Sequence, residues 1–144
     1  MFKAYQKHII AIILFFFLIA IRFFEKSYFD DGLIRFFQHD YLTEPLPKLS
    51  IFKIIWMDSI RFWLNTAISI LILSLYFNQS GLLKFLLIIF TIGYLISILV
   101  LYLSLNNYQA GHYLLLFYNR RFLIQPLLLL LLAPALWYQV SRSK

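Results

Sequence analysis

The sequence predicts an all-α integral membrane protein: a helical bundle of about four transmembrane helices with short interfacial helices. Two observations carry this. Hydrophobic residues make up 62% of the 144-residue chain and charged residues only 13%, whereas soluble domains are about half apolar and about a quarter charged. The apolar residues are also gathered into long runs flanked by basic residues, the pattern of helices anchored at lipid headgroups. The chain has no cysteine, which excludes disulfides, thiolate metal sites and a cysteine nucleophile. Its length suits a single membrane domain, with spans expected near 8–24, 60–77, 82–105 and 120–139 and an interfacial segment over 25–58.

The first apolar run, Ile9 to Ile21, lies between Lys7 and Arg22. Its basic start resembles a signal peptide. No small-x-small cleavage motif follows, so it reads as an uncleaved anchor. At 1.5 Å per residue it covers only about 20 Å of a hydrocarbon core about 30 Å thick. Phe23 and Phe24 must therefore be embedded too, and Arg22 must snorkel or find a partner.

The segment from Arg22 to Arg61 holds all six acidic residues, Glu25, Asp30, Asp31, Asp40, Glu44 and Asp58. It also carries Leu33, Phe36, Phe37 and Tyr41 near helical spacing after Gly32. That pattern predicts a short amphipathic helix lying at the interface. Pro45 and Pro47 break the chain, and a second interfacial stretch, Ile51 to Trp56, leads into the next span.

The second span runs from Phe62 to Phe77. Asn78-Gln79-Ser80-Gly81 is a tight polar turn, so the third span, Leu82 to Leu105, folds back as an antiparallel hairpin partner. Gly93, Ser97 and Ser104 on the third span let a neighbouring helix approach closely. Tyr108 to Tyr118 is too short to cross and reads as interfacial or re-entrant. The fourth run, Phe122 to Tyr138, contains Pro126 and Pro134. It reaches spanning length only if the helix begins earlier and the prolines kink it. Trp137 and Tyr138 suit the far headgroup layer.

The net charge of +7 does not point to nucleic acid, because the basic residues are scattered as short flanks rather than clustered on a solvated face. Lys3 and Lys7 ahead of the first anchor favour both termini in the cytoplasm, although the raw Lys and Arg count favours the opposite segments.

Two polar stripes enter the spans. Asp58, Arg61, Asn65 and Ser69 recur at helical spacing. They read first as an ion pair that holds the bundle together and second as a partner- or substrate-facing groove. Tyr118, Arg121 and Gln125 form a second stripe. Arg120 and Arg121 either meet Glu25, Asp30 or Asp31 or bind headgroup phosphate. Asp30-Asp31 is the only paired carboxylate, either a helix cap or an acid–base dyad. His8, His39 and His112 have no metal-ligand spacing. There is no glycine-rich phosphate loop and no nucleophile elbow. The expectation is a non-enzymatic protein without cofactor or metal. A membrane-interface enzyme using Asp30 and Asp31, and a small transporter or channel component, stand as the alternatives. Neither is favoured, since transporters usually pair two halves with matching broken helices.

Two stretches carry a family resemblance. One is Arg22-Phe23-Phe24-Glu25-Lys26-Ser27-Tyr28-Phe29-Asp30-Asp31, leading to Phe36-Phe37. The other is Phe117-Tyr118-Asn119-Arg120-Arg121-Phe122-Leu123-Ile124-Gln125-Pro126, followed by Pro134-Ala135 and Tyr138-Gln139. Together with Arg61 and Asn65 they resemble the exosortase F system-associated proteins, small Bacteroidetes membrane proteins encoded beside an exosortase. The resemblance covers most of the chain in length and layout. It implies an accessory protein in the bacterial inner membrane, partnering an exosortase that sorts surface proteins. Without cysteine this chain has no thiol to attack a peptide bond as an exosortase does.

Overall fold

The longest helix sits where the sequence changes from proline-broken segment to apolar run. Ser50 caps it, its hydroxyl accepting from the Lys53 amide at 3.4 Å, which satisfies one of the donors a helix start leaves orphaned. In the computed structural model this helix runs unbroken from Ile51 to Tyr76. The structure describes residues 2–28, 32–39, 43, 45, 48, 50–109 and 113–143. Among these, seven helices are found: α1 (Phe2–Phe23), α2 (Glu25–Tyr28), α3 (Leu33–Phe36), α4 (Ile51–Tyr76), α5 (Leu82–Asn106), α6 (Leu114–Ile124) and α7 (Leu127–Arg142). No described residue is in a strand. Helices α1, α4 and α5 are each long and apolar enough to cross a membrane, and α6 with α7 adds a fourth if that bent pair is one span. The protein is thus an α-helical bundle of membrane type.

Helix α4 is the axis of the bundle. Its residues at three- and four-residue intervals, including Ile54, Asp58, Arg61, Asn65, Ser69 and Leu73, are all buried, because α1, α5, α6 and α7 all pack against it. The polar members of that stripe are accommodated locally in part: the Ser69 hydroxyl donates to the Asn65 carbonyl at 2.6 Å. Helix α5 returns through the turn at 78–81, where Gly81 takes a left-handed φ of 83° that a residue with a Cβ adopts at a cost. The hairpin is sealed by Phe62 against Phe90 and Tyr94, and by Ser59 hydrogen-bonded to the Tyr94 hydroxyl at 2.8 Å.

Helix α1 leans on α4 through one line that includes the buried Leu18 and leaves Ile9, Ile12, Phe15, Phe16, Phe17 and Ile19 exposed. The exposed apolar surface is what a lipid environment, not water, accommodates. At its start, His8 Nδ1 meets the Tyr76 hydroxyl at 3.0 Å.

Ile51 to Asp58, part of the segment expected at the interface, are the first two turns of α4. Two expectations need correction. The amphipathic helix after Gly32 exists, but it is four residues long, and Leu33, Ile34 and Phe36 are buried in protein. Phe36 lies edge-on to Tyr108, and Phe37 to Phe117, so this segment plugs one end of the bundle. The fourth run is not one helix that begins before Phe122 and is kinked by its prolines: Pro126 divides it, with α6 ending at Ile124 and α7 beginning at Leu127. Helices α6 and α7 meet there at 63°, and Pro134 is carried inside α7. Residues 114–118 of the stretch expected to be interfacial or re-entrant form the start of α6, one half of a bent pair that is either a broken span or a re-entrant loop. Gly93 does admit close approach: a Cβ there would lie 3.3 Å from Leu128 Cδ1. Asp30, Asp31, Asp40, Tyr41, Glu44, Pro47, Gly111 and His112 lie outside the described residues.

Candidate functional site

At the end of the bundle that holds the C-terminus of α1, the N-terminus of α4 and helix α6, a chain of ionised side chains runs through the protein. Asp58 is fully buried, and Arg61 and Arg120 are 1% and 4% exposed. Arg120 Nε stands 3.4 Å from Asp58 Oδ2. Arg61 Nη2 stands 3.9 Å from Asp58 Oδ1. The other terminal nitrogen of Arg61 reaches Glu25 Oε2 at 3.9 Å. Glu25 in turn meets Arg22 at 3.8 Å, and there the chain comes out to solvent, with the Arg22 side chain 52% exposed.

Each link has a local cause. Asp58 and Arg61 are one turn apart on α4 and share its inward face. Arg22 and Glu25 span the short break between α1 and α2 at the same spacing. Burial of any one of these charges alone would be costly, so each is retained only where an opposite charge faces it. The result ties α1 and α2 to α4, and α4 to α6, through groups that cannot slide without separating opposite charges.

Below the charges, an amide repairs the backbone. Helix α6 ends at Ile124 ahead of Pro126, so its last carbonyls have no amide donor from a following helical turn. The Asn65 amide donates to the Ile124 carbonyl at 3.0 Å. Asn119, on the same helix as Arg120, donates to the Ser97 carbonyl of α5 at 2.8 Å. Both bonds hold α6 in place across the break.

A cleft of about 210 Å³ opens beside this network, several times the roughly 30 Å³ a water occupies in the liquid. Arg22, Glu25, Gln38, Arg120 and Arg121 line it, over apolar groups that include Phe37 and Phe117. Arg121 is exposed and lies 4.2 Å over the centre of the Phe117 ring, a cation–π contact that fixes its direction. The described lining therefore carries three guanidinium groups and one carboxylate, a site that favours an anion.

Arg22, Glu25, Asp58, Arg61 and Arg120 are thus brought together, with Asn65 beside them and Arg121 on the cleft. Two expectations change. Arg120 pairs with Asp58 of α4 rather than with Glu25, whose carboxylate is held by Arg61 and Arg22. The stripe of Tyr118, Arg121 and Gln125 does not face the bundle: Tyr118 is 63% exposed, and the inward face of α6 is Leu116, Arg120 and Leu123. Gln125 sits at the Pro126 break near Asn65. Asp30 and Asp31, the other two expected partners of the arginines, fall outside the described residues. Asn119 and Gln38 were not singled out from sequence. An amide one position before a buried arginine in an apolar helix was the available signal for Asn119; nothing local marked Gln38. Among the described residues, no group of three His, Asp or Glu side chains could hold a metal ion.

Compared with protein-family models, curated proteins and solved structures, the chain matches none.

Proposed function

We propose that this chain is a non-enzymatic accessory protein of an exosortase protein-sorting system, a multi-pass partner or scaffold in the bacterial inner membrane. One observation supports it best. The two stretches that carry the resemblance lie about ninety positions apart, yet their charged residues join through α4 into a single network: Arg22 and Glu25 from the first, Arg120 from the second, with Asp58 and Arg61 between. A network that fixes four helices at one end of the bundle suits a rigid docking end more than a moving transport path. The exposed rim of that end, with Tyr118, Arg121 and Arg22, is the surface offered to a partner.

With both termini in the cytoplasm, this end faces the opposite side of the membrane. Affinity purification of the full-length chain from native membranes in mild detergent is the test. An exosortase recovered with it, and lost on Tyr118→Ala combined with Arg121→Ala while the protein remains folded, supports the reading. No exosortase recovered, together with unchanged surface-protein sorting in a deletion strain, overturns it.

A further inference from the structure

Helices α1 and α7 both lean on α4, and between them lies an apolar groove of about 480 Å³. Ala11, Phe15 and Ile19 form one wall, Leu130 and Ala133 the other, and Ile72 of α4 contributes to the floor. The small side chains Ala11 and Ala133 are what leave the space. Ile12, Phe15, Ile19 and Arg22 follow one another at helical spacing along α1, so the groove wall ends at the guanidinium that lines the charged cleft. On the other wall, the bend at Pro126 turns α6 away from α7, and Arg121 of α6 lines the charged cleft together with Arg22.

We propose that this seam binds one anionic glycerophospholipid, its phosphate held by Arg22 and Arg121 in the cleft and one acyl chain lying in the groove below. Dimensions favour this occupant. From Ala11 to Arg22 the helix rises about 16 Å at 1.5 Å per residue, close to the roughly 15 Å depth of one leaflet's hydrocarbon. From Ala11 to Ile19 it rises about 12 Å, and the groove beside it is lined by apolar side chains throughout. The charge favours an anionic headgroup, because the described lining of the cleft has three cationic groups against one carboxylate. The proposal rests on the membrane placement of the bundle and not on the exosortase partnership, so either can fail alone.

The test uses the full-length chain in mild detergent, with phosphatidylglycerol and phosphatidylcholine of the same acyl chains, read by native mass spectrometry and by the shift in unfolding temperature. Phosphatidylglycerol should be retained and stabilise in preference to phosphatidylcholine. Arg22→Gln with Arg121→Gln should weaken phosphatidylglycerol binding roughly thirtyfold, from the known contribution of each basic group at an anionic surface. The corresponding double lysine variant should retain most of the binding. Ala133→Phe, which fills the groove and leaves the cleft intact, should also weaken it. Equal binding of the two lipids, or indifference to the arginine pair, assigns the seam to ordinary annular lipid and overturns the proposal. So does stabilisation by inorganic phosphate equal to that by phosphatidylglycerol. Photo-crosslinking from position 133 to a polypeptide in native membranes would give the groove to a partner helix instead.

Discussion

Asp58 decides more about this protein than any other single residue. It stands between Arg61 and Arg120 with no exposure, so neutralising it leaves two buried guanidiniums facing each other. Asp58→Asn should destabilise the fold by about 3–5 kcal/mol, the usual cost of removing one partner from a buried pair. Thermal unfolding in detergent measures it. Adding Arg120→Gln to Asp58→Asn should recover part of that loss; a strictly additive double variant would mean the two residues are not coupled. Tyr108 gives a second prediction. Its ring packs on Phe36, its hydroxyl has no hydrogen-bond partner among the described residues, and burial pushes the phenol above its ordinary value. The folded state then holds the phenolic proton more tightly than the unfolded state. That contribution to stability is complete below the ordinary tyrosine pKa of about 10 and declines as pH rises above it. Tyr108→Phe should flatten the alkaline loss in a pH series of unfolding midpoints, at no cost in stability near neutral pH.

Among the elements, α6 depends most on its neighbours. It is eleven residues long, it is cut off from α7 by Pro126, and isolated helices shorter than about 12–15 residues are marginal. Asn65, Asn119 and Arg120 hold it, and Gly93 lets it and α7 come close to α5. The nearest atom a Cβ at Gly93 would meet is the far end of a flexible leucine side chain, and glycine in a helix interior costs about 1 kcal/mol against alanine. Gly93→Ala should therefore change stability by less than about 1 kcal/mol, as the helix gain offsets the crowding. Gly93→Phe should destabilise by about 1–3 kcal/mol through overpacking against Phe122 and Leu128. Chemical-denaturant unfolding of both variants checks the pair; a severe loss from alanine would show that Leu128 has no room to move.

For the whole molecule the open structural choice is whether α6 and α7 make one crossing or a re-entrant hairpin. The chain has no cysteine, so any thiol introduced reports its own position. Single cysteines at Lys3, Gln79 and Ser143 should react with a membrane-impermeant reagent from one side, and those at Thr43 and Gln109 from the other. If position 143 reacts with the side that labels 109, the bent pair does not span.

How much of this was legible in the sequence follows from the range over which each signal acts. The apolar runs and the tight turn at 78–81 were readable, because hydropathy and turn chemistry are local properties of the chain. So was the shared face of Asp58, Arg61, Asn65 and Ser69, which is fixed by helical spacing alone. That Pro126 would end one helix and open another, rather than kink a single one, was not. Nor was the partner of each charge. Asp58 could satisfy its burial with Arg61 on its own helix or with a cation from any other, and only the packing of α6 against α4 chose Arg120. The same packing turned Tyr118 outward and Arg120 inward, a rotation that α6 is too short and too polar to announce. The sequence by itself determined a membrane bundle with costly charges at one end. The tertiary structure decided which charges meet, and so where the bundle is locked and where its cationic rim is left open, because opposite charges in an apolar interior are placed by the helices that carry them.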